Sequence, residues 1–363
     1  MKSMIISKKA SKLMLIISLV CFLSLIHSFA LPAEVIKLSC SNYLPATHPI
    51  SKVTEDFCKE IDKRTNGAVK ISFYGGGQLV GPTEMYDGVI KGITDIGFSA
   101  VHYNRGRFPL SEILECPLGI ADNWIGAKVF TDFYKKFPLK EWEETHPLLF
   151  SSAAPAAFQM AKKQVRTMAD LQGQVIRAAG RDSEAIKALG ATPRVLEIGE
   201  LYDNISKGVV DGAKLSLETA KAFRLAEVCK YVTFCPQISG ASIFYLVMNK
   251  NKWNALPQNV KQIFGEVSDQ YSEKYGIAYN QGDLEGKKFF QGIKGNAYYA
   301  LPASEATKWK QAVQPVIEKY IEETTKRGFP REQIRKHLDF MMERINYWTA
   351  KSNELKIPSV LRD

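Results

Sequence analysis

The chain has 363 residues, 45% of them hydrophobic and 24% charged, with a formal charge of +10. That length suits one large domain or two ordinary ones. The basic residues are scattered rather than gathered in a dense tract, which argues against a nucleic-acid binder and fits attraction of small anions.

The first thirty residues stand apart. Lys2, Lys8, Lys9 and Lys12 precede a charge-free, apolar run from Leu13 to Ile26, and Ser28-Phe29-Ala30 supplies small residues at its exit. This is the pattern of a secretory signal peptide cleaved after Ala30. The run falls short of the roughly 20 residues that a membrane-spanning helix needs. Cys21 lacks the small preceding residue of a lipoprotein signal. Removing the four lysines of residues 1–30 from +10 leaves +6 on the exported chain. Five cysteines remain, Cys40, Cys58, Cys116, Cys229 and Cys235. An odd, widely spaced set is not a disulfide framework, although a Cys229–Cys235 bridge stays open.

After the leader, Val35 to Cys40 reads as a strand. Thr47 is a candidate N-cap, with Pro49 in the first turn, and Ile50, Val53, Phe57 and Ile61 fall on one helical face. Asn66-Gly67 ends that helix. Val69, Ile71 and Phe73 alternate with polar residues in a strand. Pro82 opens a helix through Met85, Val89 and Ile90, and Ile96–Ala100 is a third strand. The order β-α-β-α-β predicts a parallel sheet with covering helices. Trp124, Phe130, Phe133 and Phe137 predict a helix ended by Pro138, and apolar runs follow at 148–152 and 156–161. Thr167 to Asp170 fits a capping box. A second α/β unit then reads as strand 174–179, helix 183–189, strand 194–196, helix 200–207 and strand 209–214. Ile243 to Met248 is a late strand. Val260, Ile263, Phe264, Val267, Tyr271 and Tyr275 mark a long helix, and two more helices lie near 304–326 and 331–350. Two such units without a linker predict two lobes joined by crossing strands, with a ligand cleft between them.

The segment "ISFYGGGQLVGPTEMYDG" raises the question of a nucleotide loop. Gly75, Gly77 and Gly81 give G-x-G-x-x-x-G, one residue too long for the dinucleotide fingerprint, although Asp95 follows at about the right distance. Pro82 removes an N–H where a pyrophosphate would need one, and no G-K-[ST] follows. A turn is the simpler reading. There is no G-x-S-x-G or H-E-x-x-H motif, and His48, His102, His146 and His337 lack metal-ligand spacing. The pairs Glu143-Glu144 and Glu322-Glu323 read as solvated helix faces. No catalytic set, cofactor or metal is expected.

Six segments in order carry a resemblance: "RTNGAVKISFYGGGQL", "GVIKGITDIGF", "DLQGQVIRAAG", "ALGATPRVL", "ELYDNISKGVVDG" and "MNKNKWNALP". From about residue 35 to 345 the chain resembles the DctP-like solute-binding subunit of a tripartite ATP-independent periplasmic (TRAP) transporter. The resemblance implies an α/β, two-lobe periplasmic binding fold (type II-like) with hinge strands, a long lobe-spanning helix and a helical C-terminal tail. The expected division is a leader at 1–30, a first lobe at 34–160 and a second at 161–240. Residues 241–280 return to the first lobe and form the long helix, and 281–363 pack on the second lobe and supply the C-terminal helices. The implied function is capture of a small organic acid in the cleft and delivery to a membrane permease driven by an ion gradient, without catalysis. A sensory binding protein and an exported α/β enzyme are the competing readings.

Within the resemblance, Arg177 of "QVIRAAG" matches the arginine that grips the ligand carboxylate. Its planar fork suits two carboxylate oxygens. Lys163 stands where some members carry a second arginine. Leu215 stands where members that bind sugar acids carry asparagine, so the pocket wall should be less polar and the ligand a monocarboxylate with an apolar or aromatic portion. Further cleft candidates are Tyr43, His48, Asn104, Arg105, Phe158, Gln159, Tyr202, Ser216 and Phe244, because strand C-terminal ends face the crevice of open α/β sheets.

Overall fold

The computed structural model describes residues 34–154 and 157–362. The leader read at residues 1–30, with its cleavage after Ala30, lies outside them. Among the described residues no helix is long and apolar enough to cross a membrane.

The first lobe is built on β1 (Ile36–Asn42), α1 (Pro49–Arg64), β2 (Val69–Tyr74), α2 (Met85–Ile90), β3 (Ile96–Ala100), α3 (Asn123–Lys136) and β4 (Thr145–Ala153). β1 pairs in parallel with β2 and β3, as the alternating strands and intervening helices predict. α1 buries Ile50, Phe57, Cys58 and Ile61 and ends in Lys63 and Arg64, where cations suit the helix dipole. Its N-cap is His48 rather than Thr47: the imidazole Nδ1 accepts the Ile50 N–H at 3.2 Å. The glycine turn is occupied by the protein itself. The N–H groups of Gly76 and Gly77 donate to the carbonyls of Leu44 and Asn42, at 2.7 and 3.0 Å, and so are not aimed at a phosphate.

The second lobe holds β5 (Ala157–Met160), β6 (Val175–Arg177), α4 (Asp182–Ala188), β7 (Thr192–Arg194), α5 (Leu201–Ser206), β8 (Gly212–Leu215), the short helices α6 (Thr219–Ala222) and α7 (Leu225–Val228), and β9 (Tyr231–Phe234). The Thr167–Asp170 capping box forms as read. The chain then returns: β10 (Ser242–Asn249) inserts between β3 and β4, antiparallel to both. α8 (Lys250–Ala255) and the 35-residue α9 (Gln258–Gly292) follow, then β11 (Ala297–Ala300), α10 (Ala303–Val313), α11 (Pro315–Lys326) and α12 (Arg331–Glu354). The sheets run β2-β1-β3-β10-β4 and β11-β9-β5-β8-β6-β7. Each sheet therefore contains a strand delivered across the junction, and the chain passes between lobes at β4–β5, at β9–β10 and along α9.

α9 touches both lobes because two glycines let it approach. A Cβ on Gly276 would lie 2.9 Å from Trp124 Cα of α3, and one on Gly286 would collide with the Leu217 carbonyl of the second lobe.

Two boundaries differ from the sequence reading. β5 lies in the second sheet, so the first lobe's leading part ends before residue 157. The tail is shared. Trp309, Val313 and Val316 pack in the second lobe's core, whereas Tyr320, Ile321, Ile334, Met341 and Ile345 join the first lobe's core with Phe130 and Phe133. α12 is held on α3 by the Arg344–Asp132 ion pair, at 2.7 Å, and by Trp348 edge-on to Trp124. The five described cysteines are buried and form no disulfide with one another, and Cys229 and Cys235 sit in different apolar clusters.

Candidate functional site

A pocket opens at the junction of the lobes, with about 650 Å³ of unfilled space counting its open mouth. Its wall draws on both lobes: Tyr43 and Leu44 after β1, His102 and Tyr103 after β3, Phe244 on β10 and Tyr279 on α9, facing Arg177, Asp182, Ile198, Lys214, Leu215, Ser216, Glu218 and Phe223.

Arg177 ends β6, where its pairing with Ala213 of β8 sets it at the sheet's pocket edge. It is 3% exposed, and its Nε donates to the Leu196 carbonyl at 3.0 Å. Among the described residues it has no ion-pair partner. Burial pulls its pKa down, opposed by Tyr103, Tyr43 and Asp182. The neighbouring cation is balanced: Lys214 Nζ lies 2.6 Å from Asp182 Oδ1. His102 is driven down to about 3, by burial first and then by the charge of Arg177, so it stays neutral. Its Nδ1 is buried without a hydrogen-bond partner among the described residues.

The rest of the wall is largely aromatic. Tyr43 stands edge-on to Tyr103, ring centroids 5.4 Å apart. Phe244 stacks on Phe98 at 5.6 Å and on Tyr279 at 5.5 Å. Leu215, Ile198 and Phe223 add apolar surface. A buried guanidinium with no acidic partner, set in an aromatic and aliphatic wall, can hold a carboxylate in two-pronged fashion while the walls cover a flat or apolar body.

Of the residues expected at the cleft, the structure brings Arg177, Tyr43, Leu215, Ser216 and Phe244 to one wall. His48 lies one step behind, with Nε2 3.2 Å from Glu218 Oε2. The other six are elsewhere. Lys163 is exposed and paired with Asp170 at 3.2 Å, tied to the capping-box turn. Phe158 is turned by the strand pleat into the second lobe's core, edge-on to Trp309. Gln159 is buried behind the wall and donates to the Ser216 carbonyl at 3.0 Å and to Thr219 Oγ1 at 2.8 Å. The Tyr202 hydroxyl donates to Glu227. Asn104 donates to the Thr83 carbonyl, and Arg105 pairs with Glu184 at 3.0 Å. In each case a local partner or the pleat decides the side chain's direction. Residues missed by the sequence reading include His102, Tyr103, Lys214, Glu218 and Tyr279. Tyr279 extends the i, i+4 stripe of Tyr271 and Tyr275, and Lys214 is a lysine within a strand. Both signals were available.

The chain matches the model of the bacterial extracellular solute-binding proteins, family 7 (DctP), over residues 40–324. It belongs to this family. A TRAP solute-binding protein from Rhodoferax ferrireducens T118, in complex with copurified benzoate, superposes with a TM-score of 0.82 at 26% identity, covering 88% of this chain and 100% of that one. A TRAP periplasmic solute-binding protein from Desulfovibrio salexigens DSM2638 superposes with a TM-score of 0.76 at 29% identity, covering 86% and 96%. A monocarboxylate 2-oxoacid-binding periplasmic protein from Nostoc sp. is 24% identical over 215 residues, 58% of this chain and 59% of that protein's length. The family 7 chain thus has the two-lobe fold of TRAP solute-binding subunits, and the family is one of binding proteins rather than of enzymes.

Proposed function

We propose that this family 7 protein is exported, with its leader cleaved after Ala30, and that it captures a monocarboxylate with an aromatic or apolar body between its lobes and delivers it to a TRAP membrane permease. Arg177 grips the carboxylate, while Tyr43, Phe244, Tyr279 and Leu215 cover the body. The observation that carries this reading is Arg177 itself, a buried cation without an acidic partner on the wall of an aromatic-lined pocket. The benzoate held by the Rhodoferax relative supports the ligand class. Binding rather than turnover is the protein's work, and the ligand leaves chemically unchanged.

A thermal-shift and calorimetric screen tests this with the purified protein and its Arg177→Ala variant. The panel is benzoate, phenylacetate, branched 2-oxo acids, C4-dicarboxylates and glucuronate. A ligand at 1,000 times its Kd stabilises by about 4 kcal/mol, so an aromatic or apolar monocarboxylate should raise the wild-type Tm and leave the variant's unchanged. Tighter binding of glucuronate than of any aromatic acid, or an equal response from the variant, overturns the reading.

A further inference from the structure

The pocket contains a second charged group that this reading leaves unused. Glu218, in the turn between β8 and α6, lines the same cavity and is 7% exposed. Arg177 and Glu218 form no ion pair with each other among the described residues, so neither charge cancels the other directly. Tyr43 stands within electrostatic reach of both. Burial raises its hydroxyl most, Tyr103, Tyr279 and Glu218 push the same way, and Arg177 pulls it down.

Glu218 is held firmly. Its backbone N–H donates to Asp283 Oδ1 of α9 at 2.8 Å, and its Oε1 accepts from Ser216 Oγ at 3.3 Å. Its Oε2 faces His48 Nε2 at 3.2 Å. Because His48 Nδ1 accepts the Ile50 N–H, the neutral ring carries its proton on Nε2 and donates it to Glu218. The carboxylate therefore has one donor on each oxygen. Such a group offers about four acceptor sites, so two remain for a ligand. A fixed, nearly buried acceptor that carries negative charge favours a hydrogen-bond donor beside it and disfavours a second anion.

We infer that Glu218 is a specificity residue: it accepts a hydrogen bond from a hydroxyl or amino group of the ligand and excludes a second carboxylate. The inference rests on the Arg177 reading above and narrows it. The ligand class becomes monocarboxylates that carry a donor remote from the carboxyl group, such as hydroxylated or aminated aromatic acids. It also gives the His48–Glu218 contact a role, since His48 comes from the first lobe and orients a second-lobe carboxylate toward the ligand.

Titration calorimetry with benzoate, 3- and 4-hydroxybenzoate, isophthalate and terephthalate decides it, on wild type, Arg177→Ala and Glu218→Gln. In wild type the better-fitting hydroxy acid should bind at least about tenfold more tightly than benzoate. The dicarboxylates should bind at least about 100-fold more weakly than benzoate. Glu218→Gln keeps an acceptor for His48 and the shape of the side chain but loses the charge, so discrimination against dicarboxylates should shrink by at least about tenfold. The wild-type ranking stands without any variant. Benzoate, the hydroxy acids and the dicarboxylates binding alike, all dependent on Arg177, would overturn the role of Glu218 and leave the monocarboxylate anchor intact. A dicarboxylate ratio unchanged by Glu218→Gln would also overturn it. Binding that ignores Arg177→Ala overturns the anchor, and this inference falls with it.

Discussion

Glu115 gives the sharpest test of the electrostatics at the lobe junction. It ends the 3-10 turn Ser111–Glu115 of the first lobe and faces Gly180 and Arg181 of the second. One carboxylate oxygen accepts only a long bond from the Arg181 N–H, 3.4 Å, and the other has no partner among the described residues. The Arg181 guanidinium, itself 2% exposed, is already engaged by Glu112 at 2.9 Å and Glu323 at 2.6 Å. Burial therefore raises the Glu115 carboxyl from 4.5 to about 8, helped by Glu112 and Asp182 and opposed by Arg181. The sign of the stability effect follows. Below pH 4.5 folded and unfolded chains both hold the proton, and the shift costs nothing. Between pH 4.5 and 8 the unfolded chain releases it while the folded chain keeps it, so stability falls as pH rises, and above pH 8 the full cost applies. At 1.36 kcal/mol for each unit, the cost approaches about 5 kcal/mol as an upper bound. Glu115→Gln keeps the shape and removes the titration. The variant's Tm should equal that of wild type near pH 4.5 and exceed it increasingly up to pH 8. At about 2 °C for each kcal/mol in a chain this long, the gain is roughly 10 °C. Glu141, also buried and raised to about 7, is common to both proteins and cancels in the difference. Melting curves from pH 4.5 to 8.5 make the measurement. A Tm difference that stays flat with pH, or a variant less stable at pH 8, would refute the reasoning.

Three further outcomes follow from the same structure. Gly286→Ala should destabilise by about 1–3 kcal/mol, reversing the gain of roughly 1 kcal/mol that alanine brings to a helix interior, because its Cβ meets the Leu217 carbonyl; a Tm increase would show that α9 does not press on the pocket turn. Arg177→Lys keeps the charge but loses the two-pronged fork, so calorimetry should show affinity for the best carboxylate falling by about 10- to 100-fold, and an unchanged Kd would reduce Arg177 to a point charge. Lys163→Ala should leave affinity within about twofold, since its partner is Asp170 on the exterior and surface pairs contribute little.

Most of the first lobe was legible because its strands alternate cleanly and its helices carry a regular apolar face. β9 and β11 were missed for a definite reason. β11, "AYYA", is an edge strand with no fully buried residue, and it completes a parallel pair with β9 some sixty positions earlier, so neither segment announces its partner. The tail helices were found, but an amphipathic pattern says that a face is buried and not against what; α12 went to the first lobe through Asp132 and Trp124. Glu323, read as part of a solvated face, reaches a buried arginine for the same reason. At the site, Tyr43, Ser216 and Phe244 came from the rule that strand ends face the crevice, and Arg177 and Leu215 from family resemblance. The rule failed at Asn104, Arg105 and Tyr202, where a nearby carbonyl or carboxylate captured the side chain.

The polar contacts between the lobes explain why a single unpaired cation has leverage. Arg181 with Glu112, Arg105 with Glu184, and His48 with Glu218 each join a charged or titratable group of one lobe to a partner in the other. In these contacts the protein satisfies its own charges. Arg177 differs: its guanidinium is buried, donates to the Leu196 carbonyl and lies against Tyr103, with no carboxylate partner among the described residues. Burying a charge without a counter-charge is costly, and under the proposed function a ligand carboxylate would offset that cost by supplying charge-assisted hydrogen bonds. A ligand that did so would bind an arrangement with the lobes together better than one with them apart, and such a difference in affinity is what shifts a two-state equilibrium. Aromatic surface on both sides of the pocket adds affinity, but it favours closure around any flat molecule. Under the proposed function, the uncompensated arginine would make that response depend on the charge of the ligand.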